Sequence, residues 1–324
     1  MSKRTLFVSV LALAGLVSLP QAGCSSAEER DSSFDGGEGE GSSGTSGNGG
    51  GGSSGLGGST SSGGITGNTD AGGGCSDASK LVYVLSAEND LYSFNPAELE
   101  FVKIGQLDCE PEGFGSTPNS MAVDRSGTAW VGYSDGQLFK VSTEDASCES
   151  TSFDYRRAPI SRYGMGFSSD TAGSEAETLY LTGNESDNGL FSLDTASLEL
   201  AKIGDFGGSL DRAQAELTGT GDAKLYGFFA LSPAILAQVD KTTGVASSPV
   251  ELETIDFDGN ALAFAFSFWG GDFWLYSSVD SAPSKVTRVR TATDGSESVV
   301  VQDVGDFRIV GAGVSTCAPT SPVN

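Results

Sequence analysis

The sequence predicts an all-β domain closed into a five-bladed propeller, and three observations carry that expectation. After Cys75 the composition turns to β-branched and aromatic residues in short runs between turn signals, with no long stretch of helical period. The runs recur as five segments whose opening positions, Met121, Met165, Leu217, Leu262 and Val310, are separated by 44, 52, 45 and 48 residues. The last segment is a first strand without successors, while the earliest runs are later strands without a first, so the two ends complement one another. Periods of about 40–50 residues with several strands each are what stacked blades produce, because one blade cannot bury its faces alone. A six-bladed ring and a β-sandwich are the alternatives.

In chain order, Lys3 and Arg4 precede an apolar run of 14 residues from Leu6 to Leu19, then Pro20 and the small pair Ala22-Gly23 before Cys24. That is the layout of a secretory signal peptide over residues 1–23. The run falls short of the roughly 20 residues a membrane-spanning helix needs. Leu19-Pro-Gln-Ala-Gly-Cys24 resembles the lipobox of bacterial lipoproteins, with Gln21 where that family usually carries Leu. The resemblance implies that Cys24 is acylated, palmitate-type chains included, and becomes the mature N-terminus of an exported protein anchored to the bacterial cell envelope. Ser25 in place of an inner-membrane-retaining Asp implies the outer membrane by the same resemblance. The alternative is an ordinary signal peptide cut near Ala22.

Residues 24–79 read as the lipidated Cys followed by a disordered linker. From Ser25 to Gly74 the chain is almost entirely Gly, Ser, Thr, Asn and acids, a composition that cannot bury enough apolar surface to offset its ordering entropy. About fifty such residues form a coil with an r.m.s. span on the order of 40 Å. Gly39-Glu-Gly41-Ser-Ser-Gly44 fits a dinucleotide-binding fingerprint and Gly51-Gly-Ser53-Ser-Gly55 a nucleophile elbow, but neither has the flanking strand that such motifs require. Both are products of low complexity.

Residues 80–317 form the expected propeller, and 318–324 a tail. The first complete repeat runs from Ser120 to Val141, with hairpin signals at Ser126-Gly127 and Asp135-Gly136, where Gly tolerates the positive φ of short turns. The second opens at Gly164-Met165-Gly166-Phe167 and continues through Thr178–Thr182 to Gly189–Asp194. The third passes through Lys224–Phe228 to Ile235–Gly244, and the fourth through Asp272–Tyr276 to Lys285–Val289. Arg308–Ser315 supplies the first strand of the fifth blade, and Lys80–Leu85 with Asp90–Phe94 its second and third, which removes the exposed edges of an open sheet. The segments resemble NHL/SMP-30-like propeller repeats, most clearly at Met121-Ala-Val-Asp-Arg-Ser-Gly-Thr-Ala-Trp-Val131. That resemblance implies a fold and no particular activity.

With Cys24 lipidated, four cysteines remain, an even number suited to an oxidising compartment. Three pairings exist. Ring closure sets Cys75 beside Cys317, and Cys109 and Cys148 follow the outer parts of consecutive blades, so those two pairs are expected.

The chain carries 18 Lys+Arg against 43 Asp+Glu, a net charge of −25, and no His. Triads built on imidazole and His-ligated zinc are thereby excluded, and the negative charge opposes nucleic-acid binding. Trp130 and Trp274, with Tyr180 and Tyr226 at matching places, read as inter-blade packing. Trp269, beside Gly270-Gly271, is the candidate ligand-binding aromatic. Asp256-Phe-Asp258-Gly-Asn260 gathers three oxygen-bearing side chains that suit Ca²⁺, although a solvated turn has the same composition. Glu88, Asp90, Asp124, Asp135, Asp187 and Asp222 fall at inferred turns. Asn184-Glu-Ser186 matches a glycosylation acceptor and reads as incidental. Arg156, Arg157 and Arg162 form a small basic cluster.

These observations point to a monomeric, lipid-anchored envelope propeller that binds a protein or glycan ligand without catalysis and without a resident cofactor. The alternative is a His-free hydrolase, lactonase- or glycosidase-like, using carboxylates with Ca²⁺. Glycoside hydrolysis needs two carboxylates a few ångströms apart, and nothing in the repeats selects such a pair.

Overall fold

A computed structural model describes residues 75–183, 189–258, 261–291 and 295–323. Cys24, the signal peptide, most of the linker, Asn184-Glu-Ser186, Asp187 and Asn260 lie outside the described residues. The residues from Cys75 to Ser79, placed in the linker by the sequence reading, are held against the ring by the Cys75–Cys317 disulfide and a short turn at Ala78–Lys80.

Among the described residues the strands form five four-stranded antiparallel sheets. β1 (Val82–Ser86), β2 (Asp90–Asn95) and β3 (Glu100–Gln106) come first. The next blade is β4 (Pro118–Val123), β5 (Thr128–Tyr133), β6 (Leu138–Ser142) and β7 (Cys148–Ser150). After it come β8 (Tyr163–Ser169), β9 (Glu177–Gly183), β10 (Leu190–Leu193) and β11 (Leu200–Gly204), then β12 (Ala215–Gly219), β13 (Leu225–Phe229), β14 (Ala234–Val239) and β15 (Ala246–Leu252). The last complete blade is β16 (Ala261–Trp269), β17 (Asp272–Val279), β18 (Lys285–Val289) and β19 (Glu297–Val301). β20 (Ile309–Val314) then pairs with β1, in register from Val82↔Val314 to Leu85↔Gly311, giving the order β20-β1-β2-β3. The protein is a five-bladed β-propeller whose fifth blade is built from both ends of the domain.

The five repeat-opening residues all fall on the innermost strands, β4, β8, β12, β16 and β20, each of which packs on the next around the axis. The sequence pattern marks three strands per blade, and the structure adds a fourth at the outside. Those outer strands are mostly exposed or half-exposed, as in Glu100–Gln106 and Ala246–Leu252, so water on both sides removes the alternation that marks a strand.

Hydrophobic burial is organised as five layers, one between each pair of neighbouring blades. The layer joining the composite blade to β16–β19 stacks Phe94 on Phe101 at 4.4 Å and sets its edge against Trp274 at 5.7 Å. Such aromatic contacts stabilise beyond the area they bury. Where neighbouring inner strands come closest the chain carries glycine, because backbone meets backbone there. A Cβ on Gly164 would lie 2.2 Å from the carbonyl oxygen of Ala215, and one on Gly219 would lie 2.1 Å from that of Phe167.

Because strands alternate in direction, the turns fall on two faces. The entry face carries Cys75, Cys317 and the turns from first to second and third to fourth strands. The loop face carries the longer connections between blades. Turn chemistry on the entry face is local: the Asp240 carboxylate accepts hydrogen bonds from the Thr242 and Thr243 amides and hydroxyls, which pull its pKa down to about 2. The second disulfide, Cys109–Cys148, joins the outer parts of two consecutive blades with Cα atoms 5.0 Å apart.

Candidate functional site

The axis holds a buried carboxyl. Glu216, on β12, is 3% exposed, and its Oε2 accepts a hydrogen bond from Ser120 Oγ of β4 at 2.6 Å. The same Ser120 oxygen accepts from the Met165 amide of β8 at 3.1 Å. Three blades are thus tied at one point. Burial raises the Glu216 pKa well above the usual carboxylate range, against the opposing pull of its hydrogen bond from Ser120.

At the entry face the chain's own C-terminal segment crosses the axis. Thr316 Oγ1 donates to Glu177 Oε2 at 2.7 Å, and the Arg125 amide donates to Glu177 Oε1 at 2.7 Å. Arg125 also donates from Nη1 to Thr316 Oγ1 and from Nη2 to Cys75 Sγ, at 3.1 and 3.2 Å. Farther along, the Gly270 amide donates to Pro319 O at 2.7 Å. This segment, Cys75 and the neighbouring blades therefore form one latch.

Burial holds the Glu177 pKa at about 6, above its ordinary 4.5, despite the opposing pull of its two hydrogen bonds. A carboxyl raised in the folded state contributes stability that is fully present below about pH 4.5 and lost as pH rises through 6. Glu177→Gln is therefore expected to gain on the wild type by on the order of 1–2 kcal/mol between pH 4.5 and 7.5. Urea denaturation of both proteins at the two pH values checks this. A stability difference independent of pH would refute the assignment.

The structure places the sequence candidates as follows. Trp130 and Trp274 are each 2% exposed, packed between blades, with Lys140 Nζ 4.7 Å and the Arg288 guanidinium 5.1 Å from their rings. Trp269 is half-buried, packs on the same layer as Trp274, and donates its indole N–H to Lys80 O at 3.0 Å. Asp256 accepts the Asp258 amide at 2.9 Å, a bond that lowers its pKa; Asn260 is outside the described residues. Among the described residues no group of three or more Asp, Glu, Cys or His converges on a point that would hold a metal.

Most of the turn acids are engaged nearby. Asp90 pairs with Lys103 at 2.7 Å and Asp222 with Lys224 at 2.8 Å. Asp124 accepts from the Ser126 and Thr128 amides and from the Trp130 indole. Arg156 pairs with Glu112, and Arg157 with Asp154 at 3.5 Å.

The loop face carries a feature that no sequence motif marks. The connection from β3 to β4 presents Phe114 with 110% relative exposure, fully out in solvent. Beside it a cavity of about 320 Å³ is lined in part by Glu112, Gln137, Phe153, Tyr155 and Arg156. The only sequence signal at Phe114 is its setting between Gly113 and Gly115, which reads as an ordinary turn.

No protein-family model matches the chain, and no curated protein does. Solved structures with likeness to it include the BT4673 extracellular domain from B. thetaiotaomicron, at 13% identity and a TM-score of 0.38 over 70% of this chain and 28% of that one. A protein of unknown function from Bacteroides caccae aligns at 12% identity and 0.38 over 68% and 73%. The C-terminal WD40 domain of Sif2 aligns at 10% and 0.34 over 72% and 83%. The chain thus spans under a third of the BT4673 domain's length.

Proposed function

We propose that this chain is an exported β-propeller, lipid-anchored through Cys24, which binds a partner at the cell envelope without catalysing a reaction. The observation that carries the reading is the latch at the entry face. Cys75, where the Gly/Ser-rich stretch ends, is bonded to Cys317 beside the mouth that Thr316 crosses, so the anchor attaches at the face the chain itself occupies. The opposite face, with the long inter-blade loops, is left for a ligand. Two disulfides suit an oxidising compartment. The resemblances of Leu19–Cys24 to a lipobox and of the repeats to NHL/SMP-30-like blades agree with this assignment. The buried Glu216 and half-buried Glu177 are engaged in hydrogen bonds that join blades, which supports a scaffold role for the axis and a binding role for the loops.

Cys24→Ala is expected to move the protein from the membrane fraction to the soluble fraction, because several acyl chains hold a protein far more firmly than its polar surface does. Fractionation of cells expressing each form checks this. Continued membrane association of the variant would overturn the anchor.

A further inference from the structure

Phe114 is the largest fully exposed apolar side chain among the described residues, and the loop carrying it is held from several sides. At its start the Cys109–Cys148 disulfide pins it to the neighbouring blade. Farther along, the Glu112 amide donates to Gln137 Oε1 and the Gly113 amide to Asp135 Oδ2 at 2.9 Å. The Glu112 carboxylate accepts from Arg156 and from Tyr155 Oη at 3.2 Å. At its end the Thr117 amide donates to Ser134 Oγ at 3.1 Å, and the Ser134 amide donates back to Thr117 O at 2.8 Å. Gly115 has φ +74° and no heavy atom within 4 Å of where its Cβ would be, so the turn stands clear of the blade and aims the ring outward.

A loop so restrained has lost its conformational freedom before any partner arrives, and the one large apolar side chain it presents to water is an aromatic ring. Rigid aromatic anchors beside a concave polar surface are what concentrate binding energy in protein interfaces. We propose, resting on the binding-module reading above, that Phe114 is the central anchor of a protein-docking surface on the loop face. The partner it fits is a protein with an apolar socket set in a cationic surface. The socket follows from the ring. The cationic setting follows from the chain's net charge of −25 and from exposed acids on the same connection, Asp108 and Glu110, which would steer a positive partner in and repel an anionic membrane.

The test uses the full-length chain in its native cells. Photo-crosslinking benzoylphenylalanine replaces Phe114, and in a separate control strain it replaces Ser321, exposed beside Gly271 on the entry face. The protein captured at position 114 is identified, purified and titrated against the wild type, Phe114→Ala and Phe114→Trp. The expected result is capture at 114 and not at 321, at least tenfold weaker binding by Phe114→Ala, near-wild-type binding by Phe114→Trp, and affinity that falls as salt rises. Equal affinity of wild type and Phe114→Ala would overturn the proposal, as would adducts at 114 only with lipid or with a second copy of this chain. Capture at 321 alone would overturn the Phe114 anchor and leave the binding-module reading standing, whereas capture at neither position would overturn both.

Discussion

Removing the Cys75–Cys317 bond, as Cys75→Ser/Cys317→Ser, is expected to cost about 5.5 kcal/mol of stability, against about 4 kcal/mol for the Cys109–Cys148 pair. The difference follows from the loops closed, with sequence separations of 242 and 39 residues. A cross-link removes conformations from the unfolded chain roughly as the logarithm of loop length, so an about sixfold longer loop adds only about 1.6 kcal/mol. The position of the long-range bond adds a second effect. β20 and β1 are held by one ladder of backbone hydrogen bonds, and this joint is where the ring opens if its ends separate. Serine at position 75 retains an acceptor for Arg125 Nη2, so the double variant isolates the covalent link. Guanidinium denaturation of the oxidised wild type and the variant measures the loss. A loss under about 1 kcal/mol would show that strand pairing alone keeps the ring shut.

Gly164→Ala is expected to cost at least about 3 kcal/mol, the upper range for inserting atoms into a packed interior. The added methyl would lie 2.2 Å from Ala215 O and 2.8 Å from the Glu216 Cα. Both obstacles are backbone, so no side chain can swing away, and relief requires moving β8 off β12. That movement strains the point where Glu216, Ser120 and the Met165 amide meet. Gly219→Ala, with Phe167 O at 2.1 Å and Ser168 Cβ at 2.6 Å, is expected to behave alike. Urea denaturation reads both: a lowered midpoint with an unchanged slope is expected. A cost below about 1 kcal/mol at both sites would mean that the inner strands yield easily.

Several features of the fold are open to the sequence. The inner three strands of each blade alternate or run apolar, because one face or both meet a neighbouring blade, and their turns carry Gly or Asp where local geometry demands it. Gly127 and Gly136 indeed take φ values of +90° and +93°. The outer strands escape the pattern because solvent reaches both their sides and their composition is that of a loop. In the site region, Glu216 is hidden as a single acid inside an apolar strand, and Glu177 as one of many acids. Their surroundings depend on contacts 96 and 139 residues away in sequence, at Ser120 and Thr316. Phe114 is hidden for the opposite reason: apolar residues are expected inside, and nothing local to Gly113-Phe114-Gly115 indicates that the ring faces water.

The sequence alone determined the all-β class, the repeat period, the composite closing blade and the cysteine pairs. Each rests on hydrophobic pattern, turn chemistry or the arithmetic of chain ends, which are properties of neighbours in sequence or of a regular count. Tertiary structure alone decided which acids are buried, which mouth of the ring the C-terminal segment crosses, and which aromatic is presented outward. Those outcomes depend on which blades meet in space, because burial and exposure are set by the whole packed ring and not by any one strand.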